Sequence, residues 1–587
     1  NNQTLYFAAN KVFKSTDQGN SWSTISPDLT EQINRNELPI MGKTWSKDAI
    51  MKNMSTTIYG NIVAFDESPV KQGLLYAGTD DGNIQVSEND GESWIKINSF
   101  VGVPKNTYVN MLLASQHDEN VVYALFNDHK RGNFKPMVYK SADKGKTWTN
   151  ISNNLPERGT SYAIAEDFVS KDLLFVGTEF GLFTSLNGGT NWVQVKKGLP
   201  TIAIRDIAIQ KNETDLVLAS FGRGFYVLDD YSSLRNLDQV MKDKKDYLFP
   251  ITQVRSFIPN NPLGMRGKSS QGASLYTAKN ETFGATFHLY LKDEYELMKD
   301  KRRKEEHKNA KDGKANQHIG VDQILKEQAE EKAYLIWSIK NAQGQEIKRI
   351  KTTASKGLNK ANWDLRLPST TPIKLSHPKV GRYSNPNNGR MVLPGKYSVS
   401  VSKIKNGVAT DLGLNQSFDV KFLHDLSKNQ NLSMIEKFNQ NLGETRRIVR
   451  GSEKVLNEKA KQLKYFKQAL ITVPNAPISS LEEVKSIEQE IQKLNFELWG
   501  NYVQSAQQIE TYPGFADRIE TVVYQTYSST STPTKTQRDN LKIAKEEYAA
   551  FKPKLDAVIL RIKKIEDQLI ELKIPYTPGK GSNWKED

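Results

Sequence analysis

The sequence predicts a multidomain chain with three modules in succession: blades of a β-propeller, a β-sandwich, and an antiparallel bundle of long helices. Three observations carry this reading. A short turn motif is written four times in the first third, period-two alternation between turn signals fills the middle, and apolar residues stand seven apart in the last third. The expected boundaries are 1–235 for the blades, 236–424 for the sandwich with a charged insertion at 292–332, 425–577 for the helices, and 578–587 for a tail.

The motif reads Ser15, Asp17, Gly19, Trp22, and recurs as Ser87, Asn89, Gly91, Trp94, as Ser141, Asp143, Gly145, Trp148, and as Ser185, Asn187, Gly189, Trp192. Counted from position 17 to 89, 143 and 187, successive copies stand 72, 54 and 44 residues apart. Asp or Asn can bond backbone N–H groups about two residues on and so close a tight turn. Gly supplies the positive φ that such a turn needs, and Trp opens the next strand with a large apolar surface to bury. The motif is thus a structural hairpin lock that requires no catalytic role.

Its flanks repeat as well. Leu74 to Thr79, Asp81-Gly82 and Ile84 to Val86 precede the second copy, while Leu174 to Thr178, Gly181 and Leu182 to Thr184 precede the fourth. With the upstream apolar runs at 61–65, 109–114, 163–165 and 204–209, each unit has four strands, the content of a propeller blade. Whole blades are expected at 59–98, 107–151 and 161–196. Residues 203–230 supply three strands without the motif, 4–25 supply three strands, and an insertion occupies 30–57. Further blades are expected to precede position 1, in preference to two partial blades closing a small ring.

On these residues the motif resembles the Asp-box, or bacterial neuraminidase (BNR) repeat, of sialidases, two-propeller xyloglucanases and sortilin-type propellers. The wider pattern, ending in Ser220-Phe221-Gly222-Arg223-Gly224-Phe225-Tyr226-Val227-Leu228-Asp229-Asp230, is similar to large bacterial proteins called sortilin-like or glycosyl hydrolase repeat-containing. The resemblance implies an Asp-box propeller in a bacterial protein that is secreted, periplasmic or at the cell surface. It does not choose an activity, because this propeller hosts hydrolases, receptors and assembly factors alike.

Composition narrows the classes. The 587 residues include no cysteine, which excludes disulfides and thiolate metal sites. The net charge of +14 is spread over every region, so no nucleic acid partner is expected. The densest basic run, Lys301-Arg302-Arg303-Lys304, is followed at once by Glu305-Glu306 and reads as a solvated insertion loop, with attraction for an anionic lipid or polysaccharide as the alternative. No apolar run reaches the length of a membrane span, and no signal peptide is visible at the start.

In the middle region, strands are expected at 283–291, 333–340, 346–352, 358–365 and 396–404, with a last pair turning through Lys405-Asn406-Gly407. The run Gly357 to Asp364, with Trp363, followed by Leu393-Pro394-Gly395-Lys396-Tyr397, is similar to Ig-like domains of the flagellar hook-capping type. That resemblance implies a spacer or docking module in which the Trp and Tyr strands pack together. In the last third, Ile435, Leu442, Val449, Leu456, Leu463 and Leu470 form one seam, and Leu541, Tyr548, Leu555, Ile562 and Leu569 another. Ser480-Leu481-Glu482-Glu483 reads as a capping box between them, and Pro553 is expected to kink the last helix. An intrachain antiparallel bundle is expected, with an intermolecular coiled coil as the alternative.

Catalytic chemistry is sparse. A glycosidase needs two carboxylates across a cleft. The candidates at strand turns are Asp80, Asp81, Glu179 and Asp229, with Arg223 beside them, and repeat geometry explains these positions more simply than catalysis. Arg35, Arg131, Arg158, Arg205 and Arg223 do not map onto the arginine triad of sialidases. Asp80, Asp81, Glu88 and Asp90 have the oxygen donors for Ca²⁺ but read as a solvated acidic turn, and the seven histidines lack zinc-site spacing. No catalytic residue, cofactor or metal is expected. The expected function is a non-enzymatic binding or scaffold protein of the bacterial envelope or exterior, monomeric or a complex subunit, with a protein or polysaccharide partner. The alternatives are a glycoside hydrolase working in a propeller cleft and a structural subunit of an outer-membrane or secretion-associated complex.

Overall fold

The computed structural model describes residues 3–34, 36–52, 60–259, 278, 280–293, 295–375, 389–424, 431–573 and 575. The chain divides into two compact units, Asn1–Thr252 and Gln253–Asp587. Arg35, His377 and part of the insertion expected at 30–57 lie outside the described residues.

The first unit is a succession of five antiparallel sheets. They are β1 (Leu5–Ala8), β2 (Val12–Ser15) and β3 (Ser23–Thr24); β4 (Ile62–Glu67), β5 (Leu75–Thr79), β6 (Ile84–Ser87) and β7 (Ile95–Ile97); β8 (Tyr108–Ala114), β9 (Val122–Asp128), β10 (Asn133–Ser141) and β11 (Thr149–Asn150); β12 (Ser161–Glu166), β13 (Leu174–Thr178), β14 (Gly181–Ser185) and β15 (Val193–Val195); and β16 (Ile204–Gln210), β17 (Asp215–Ser220) and β18 (Phe225–Leu228). Each is an up-and-down meander, the pattern of a propeller blade. Helix α1 (Leu234–Asp243) and strand β19 (Tyr247–Leu248) follow.

Apolar cores lie between successive sheets. Tyr76, Ile84 and Val86 meet Val109, Ala124 and Phe126, and Tyr123, Leu125 and Val138 meet Ile164, Val176 and Phe183. The approach is close enough to dictate a residue type: a Cβ on Gly177 would lie 2.6 Å from the Ile204 carbonyl oxygen of the next sheet.

The repeated frame closes the turn between the third and fourth strands, and its bonds recur copy by copy. The Gly N–H donates to the Ser Oγ at 2.8 Å in the first three copies and 2.9 Å in the fourth. Oδ1 of Asp17, Asn89, Asp143 and Asn187 accepts from the N–H four residues on, at 2.8–3.0 Å. That reach is longer than the two residues expected, because the turn needs two left-handed residues rather than one. Gln18, Asp90, Lys144 and Gly188 have φ of 61°, 58°, 61° and 66° ahead of the Gly that the four copies share. The Trp positions differ. Trp192 is 3 % exposed and donates to the Ile151 carbonyl at 2.8 Å, whereas Trp22 is 46 % exposed against Phe7 on the outward face of the first sheet.

In the second unit, β20 (Val254–Ser256), β22 (Tyr334–Asn341), β23 (Glu346–Thr353), β25 (Gly395–Lys405) and β26 (Val408–Phe422) form a sheet ordered β20-β26-β25-β22-β23. Strands β21 (Ala285–Leu291) and β24 (Gly357–Trp363) pair with each other. The two layers meet through rings, with Phe287 against Trp337 at 5.9 Å, and Trp363 against Tyr397 at 5.5 Å and Phe418 at 6.3 Å. The charged insertion is not a loop: it folds into α2 (Met298–Lys311) and α3 (Val321–Ala329). Arg302 joins them, donating to both Glu327 oxygens at 2.8 and 2.7 Å and to Glu306 at 2.7 Å.

Five further helices follow: α4 (Leu432–Thr472), α5 (Ser480–Trp499), α6 (Tyr502–Ala506), α7 (Phe515–Tyr527) and α8 (Lys535–Glu571). The seam positions Leu442, Val449, Leu456, Leu463 and Leu470 of α4 share one apolar core with Val484, Ile487 and Leu494 of α5, Ile519 and Val522 of α7, and Leu555 and Ile562 of α8. The helix α8 runs through Pro553. The box expected at Ser480 does not form. Ser480 lies inside the helix and its intended partner Glu483 pairs with Arg561 at 2.8 and 3.0 Å. A capping box closes α8 instead, between Thr534 and Gln537.

Candidate ligand surface on the blade rim

Each blade has two ends. At one lie the frame turns; at the other the first strand begins and the second and third strands turn. The second end is built by a recurring bond, in which Asp80, Glu179 and Phe221 donate N–H to the carbonyls of Asn61, Thr160 and Ala203 at 3.0, 2.9 and 2.9 Å. Residues distant in sequence are thereby laid side by side along a rim.

Across the last three blades this rim carries a continuous strip. The Gly159 N–H donates to the Phe134 carbonyl at 2.8 Å, and the Arg158 guanidinium lies 5.9 Å from the Phe134 ring. The Phe180 ring covers Gly159 so closely that a Cβ there would meet it at 3.0 Å. Next to it, the Tyr162 hydroxyl donates to Glu179. The Arg205 guanidinium then stacks 3.9 Å from the Tyr162 ring and 5.1 Å from that of Phe221. Phe134, Phe180 and Phe221 remain 43, 46 and 66 % exposed, so ring surface is left for a ligand. Burial, reinforced by Glu179, pushes the Tyr162 hydroxyl up to about 12. A phenol so held is a hydrogen-bond donor and not a nucleophile at neutral pH.

Most of the candidate carboxylates serve the fold. Asp80 Oδ1 accepts from the N–H groups of Gly60 and Asn61, both at 2.9 Å. Asp81 accepts from the Thr79 hydroxyl at 2.5 Å and the Glu31 N–H at 2.8 Å, and burial beside Asp80 pushes its carboxyl up. Both are buried. Glu88 pairs with Lys144 at 2.8 Å and Asp90 with Lys14 at 2.5 Å, so the four acids do not converge as Ca²⁺ ligands. Among the described residues no group of three or more His, Asp or Glu gathers to hold a metal ion. Arg223 is exposed in the rim turn beside Phe221. Asp229 is not at an equivalent turn: it follows β18, whose Leu228 pairs with Leu216, at the other end of the sheet.

Arg131, the other cation of this rim considered for a triad, is committed to Asp128 at 2.6 Å, Thr107 at 2.8 Å and the Lys105 carbonyl at 2.9 Å. Phe134, Tyr162, Phe180 and the stacked pose of Arg205 were not foreseen. Their signal in the sequence was positional: Phe180 and Phe221 both fall in the turn between the second and third strands of their blades.

A family model described as the DUF6242 beta propeller domain matches residues 39–197, so this stretch is a β-propeller domain. A curated protein named probable oligoxyloglucan-reducing end-specific xyloglucanase, from Neosartorya fischeri, is 24% identical over 249 residues, 31% of this chain and 30% of its own length. The chain therefore spans about a third or less of that relative. Among solved structures, an ancestral GH74 enzyme is 15% identical with a TM-score of 0.29, covering 50% of this chain and 35% of that one. The GH74 xyloglucanase of Xanthomonas campestris is 16% identical with a TM-score of 0.27, covering 38% and 34%. No described helix is long and apolar enough to cross a membrane.

Proposed function

We propose that this chain is a non-enzymatic glycan-binding and scaffold protein of the bacterial exterior, with the rim strip as its ligand surface. We assign Asp-box blades to 1–235, an Ig-like sandwich to 236–424 and a bundle of long helices to 425–577, the last two positioning the blades. The frame's repeated bonds, the Trp363–Tyr397 contact and the shared helical core support these assignments. One observation carries the functional reading: the strip offers exposed rings and guanidinium donors, while Asp80, Asp81 and Glu179 spend oxygens on the fold. Rings stack on the apolar faces of sugars, and guanidinium donors bond their hydroxyls. Glycoside hydrolysis would need two carboxylates facing one another across a cleft.

The second reading, a glycoside hydrolase, is favoured by the xyloglucanase name of the curated relative. Calorimetry against xyloglucan oligosaccharides, cello-oligosaccharides and sialyllactose tests the proposal. Binding to at least one is expected, weakened about tenfold or more by Phe221→Ala and by Arg205→Ala, as for central contact residues. Absence of binding, or binding indifferent to both changes, would remove the strip as the ligand surface.

A further inference from the structure

At the opposite ends of the same strands a second concavity opens. A cleft of about 650 Å³ is lined by His117 after β8, Val169, Ser170 and Lys171 after β12, and Ser232, Arg235, Asn236 and Pro250 to Thr252 after β18. Its volume is that of a small-molecule site, and among the described residues that line it none is a carboxylate. The polar lining includes Lys171, Arg235, Asn236 and the hydroxyls of Ser170 and Ser232 as groups that can donate.

The floor is preorganised. Asp167, fully buried beneath the cleft, accepts from Arg235 Nε at 2.9 Å and Nη2 at 2.8 Å, from the Tyr231 hydroxyl at 2.7 Å, and from the N–H groups of Val169 and Ser170 at 2.9 and 2.7 Å. Burial works to raise the Asp167 carboxyl, but these bonds, led by Arg235, outweigh it and hold the group below the ordinary carboxylate range. The His117 Nε2–H donates to the Asp167 carbonyl at 2.7 Å, which fixes that ring too. The Arg235 guanidinium also lies 4.8 Å from the Phe168 ring, so its position is set from two sides. Asp167 faces inward and is used up by these donors. Lys171 stands exposed at the edge of the cleft.

We infer that this cleft binds the oxyanion of a small organic molecule of about monosaccharide size, a carboxylate or a phosphate ester, with Lys171, Arg235, Ser232 and Asn236 as its donors. A lysine beside donors held in place selects negative charge, and a guanidinium already fixed by Asp167 costs little to order. The apolar edge of Val169, Pro250 and Ile251 accommodates the carbon skeleton.

Calorimetry of the full chain with glucuronate, glucose 1-phosphate, inorganic phosphate and neutral glucose tests this without reference to the rim strip. At least one of the three anions is expected to bind saturably, glucose is expected not to, and the preferred anion identifies carboxylate or phosphate as the source. Lys171→Glu and Asn236→Asp each place a carboxylate in the cleft and are expected to weaken that binding about tenfold or more, with Tm unchanged. Lys171→Ala, a milder change at an exposed position, is expected to weaken it less. The inference is overturned if none of the anions saturates, if glucose binds as well as they do, or if the variants bind as the parent does.

Discussion

The two ends of the blades spend the same kinds of residue differently. At the frame end polar side chains are turned inward: Ser141 serves the Gly145 N–H and Asp143, Asp66 accepts from the Ala114 N–H at 2.7 Å, and Glu166 accepts from Ser115, Gln116 and Tyr123. At the rim, the rings of Phe134, Phe180 and Phe221 stay at the surface beside Arg205, while Arg131, Asp80 and Asp81 are held by the fold. Both ends carry recurring bonds, and what sets the rim apart is the ring surface that those bonds leave exposed.

Trp192→Ala is expected to destabilise the first unit by about 3–5 kcal/mol, and Trp22→Ala by less than about 1 kcal/mol, since only the former ring is enclosed. Thermal or urea unfolding of both variants checks this, and equal losses would break the idea that copies differ by burial. Ser141→Ala should cost about 1–3 kcal/mol in the same measurement, because it leaves the buried Gly145 N–H without its acceptor.

Asp66 gives a pH signature. Burial pushes its carboxyl up from 3.8 to about 6, so between those values the folded chain holds a proton that the unfolded chain has released. Stability from this group is therefore fully present below about pH 3.8 and is lost as pH rises through 6, by on the order of 3 kcal/mol. Asp66→Asn should flatten that part of the pH–stability curve, and an unchanged slope would show that the group is not charged at a cost. At the rim, Phe221→Ala and Arg205→Ala should change stability by less than about 0.5 kcal/mol while lowering glycan affinity.

Much of the fold was legible because its signals are local. Ser141, Asp143 and Gly145 sit within five positions, and the α4 seam from Leu442 to Leu470 repeats every seven. Where distant partners compete, local reading failed. Glu483 looked like half of a capping box until Arg561 claimed it, and the insertion read as a loop from its charge until Arg302 and Glu327 joined two helices. The rim strip is harder still. Phe134, Arg158, Tyr162, Glu179, Arg205 and Phe221 come from three blades, and only the lateral packing of those sheets brings them together. Asp80 and Asp81 were legible as candidates, but their backbone partners Gly60 and Glu31 were not.

A rim that binds a glycan and leaves it whole releases no sugar from it. The full chain is incubated at high concentration with xyloglucan oligosaccharides and with sialyllactose, and released reducing ends or free sialic acid are quantified over time. No release above the protein-free control is expected, for the parent and for Glu179→Gln alike. Release by the parent that disappears in Glu179→Gln would contradict it and make the rim a hydrolase site.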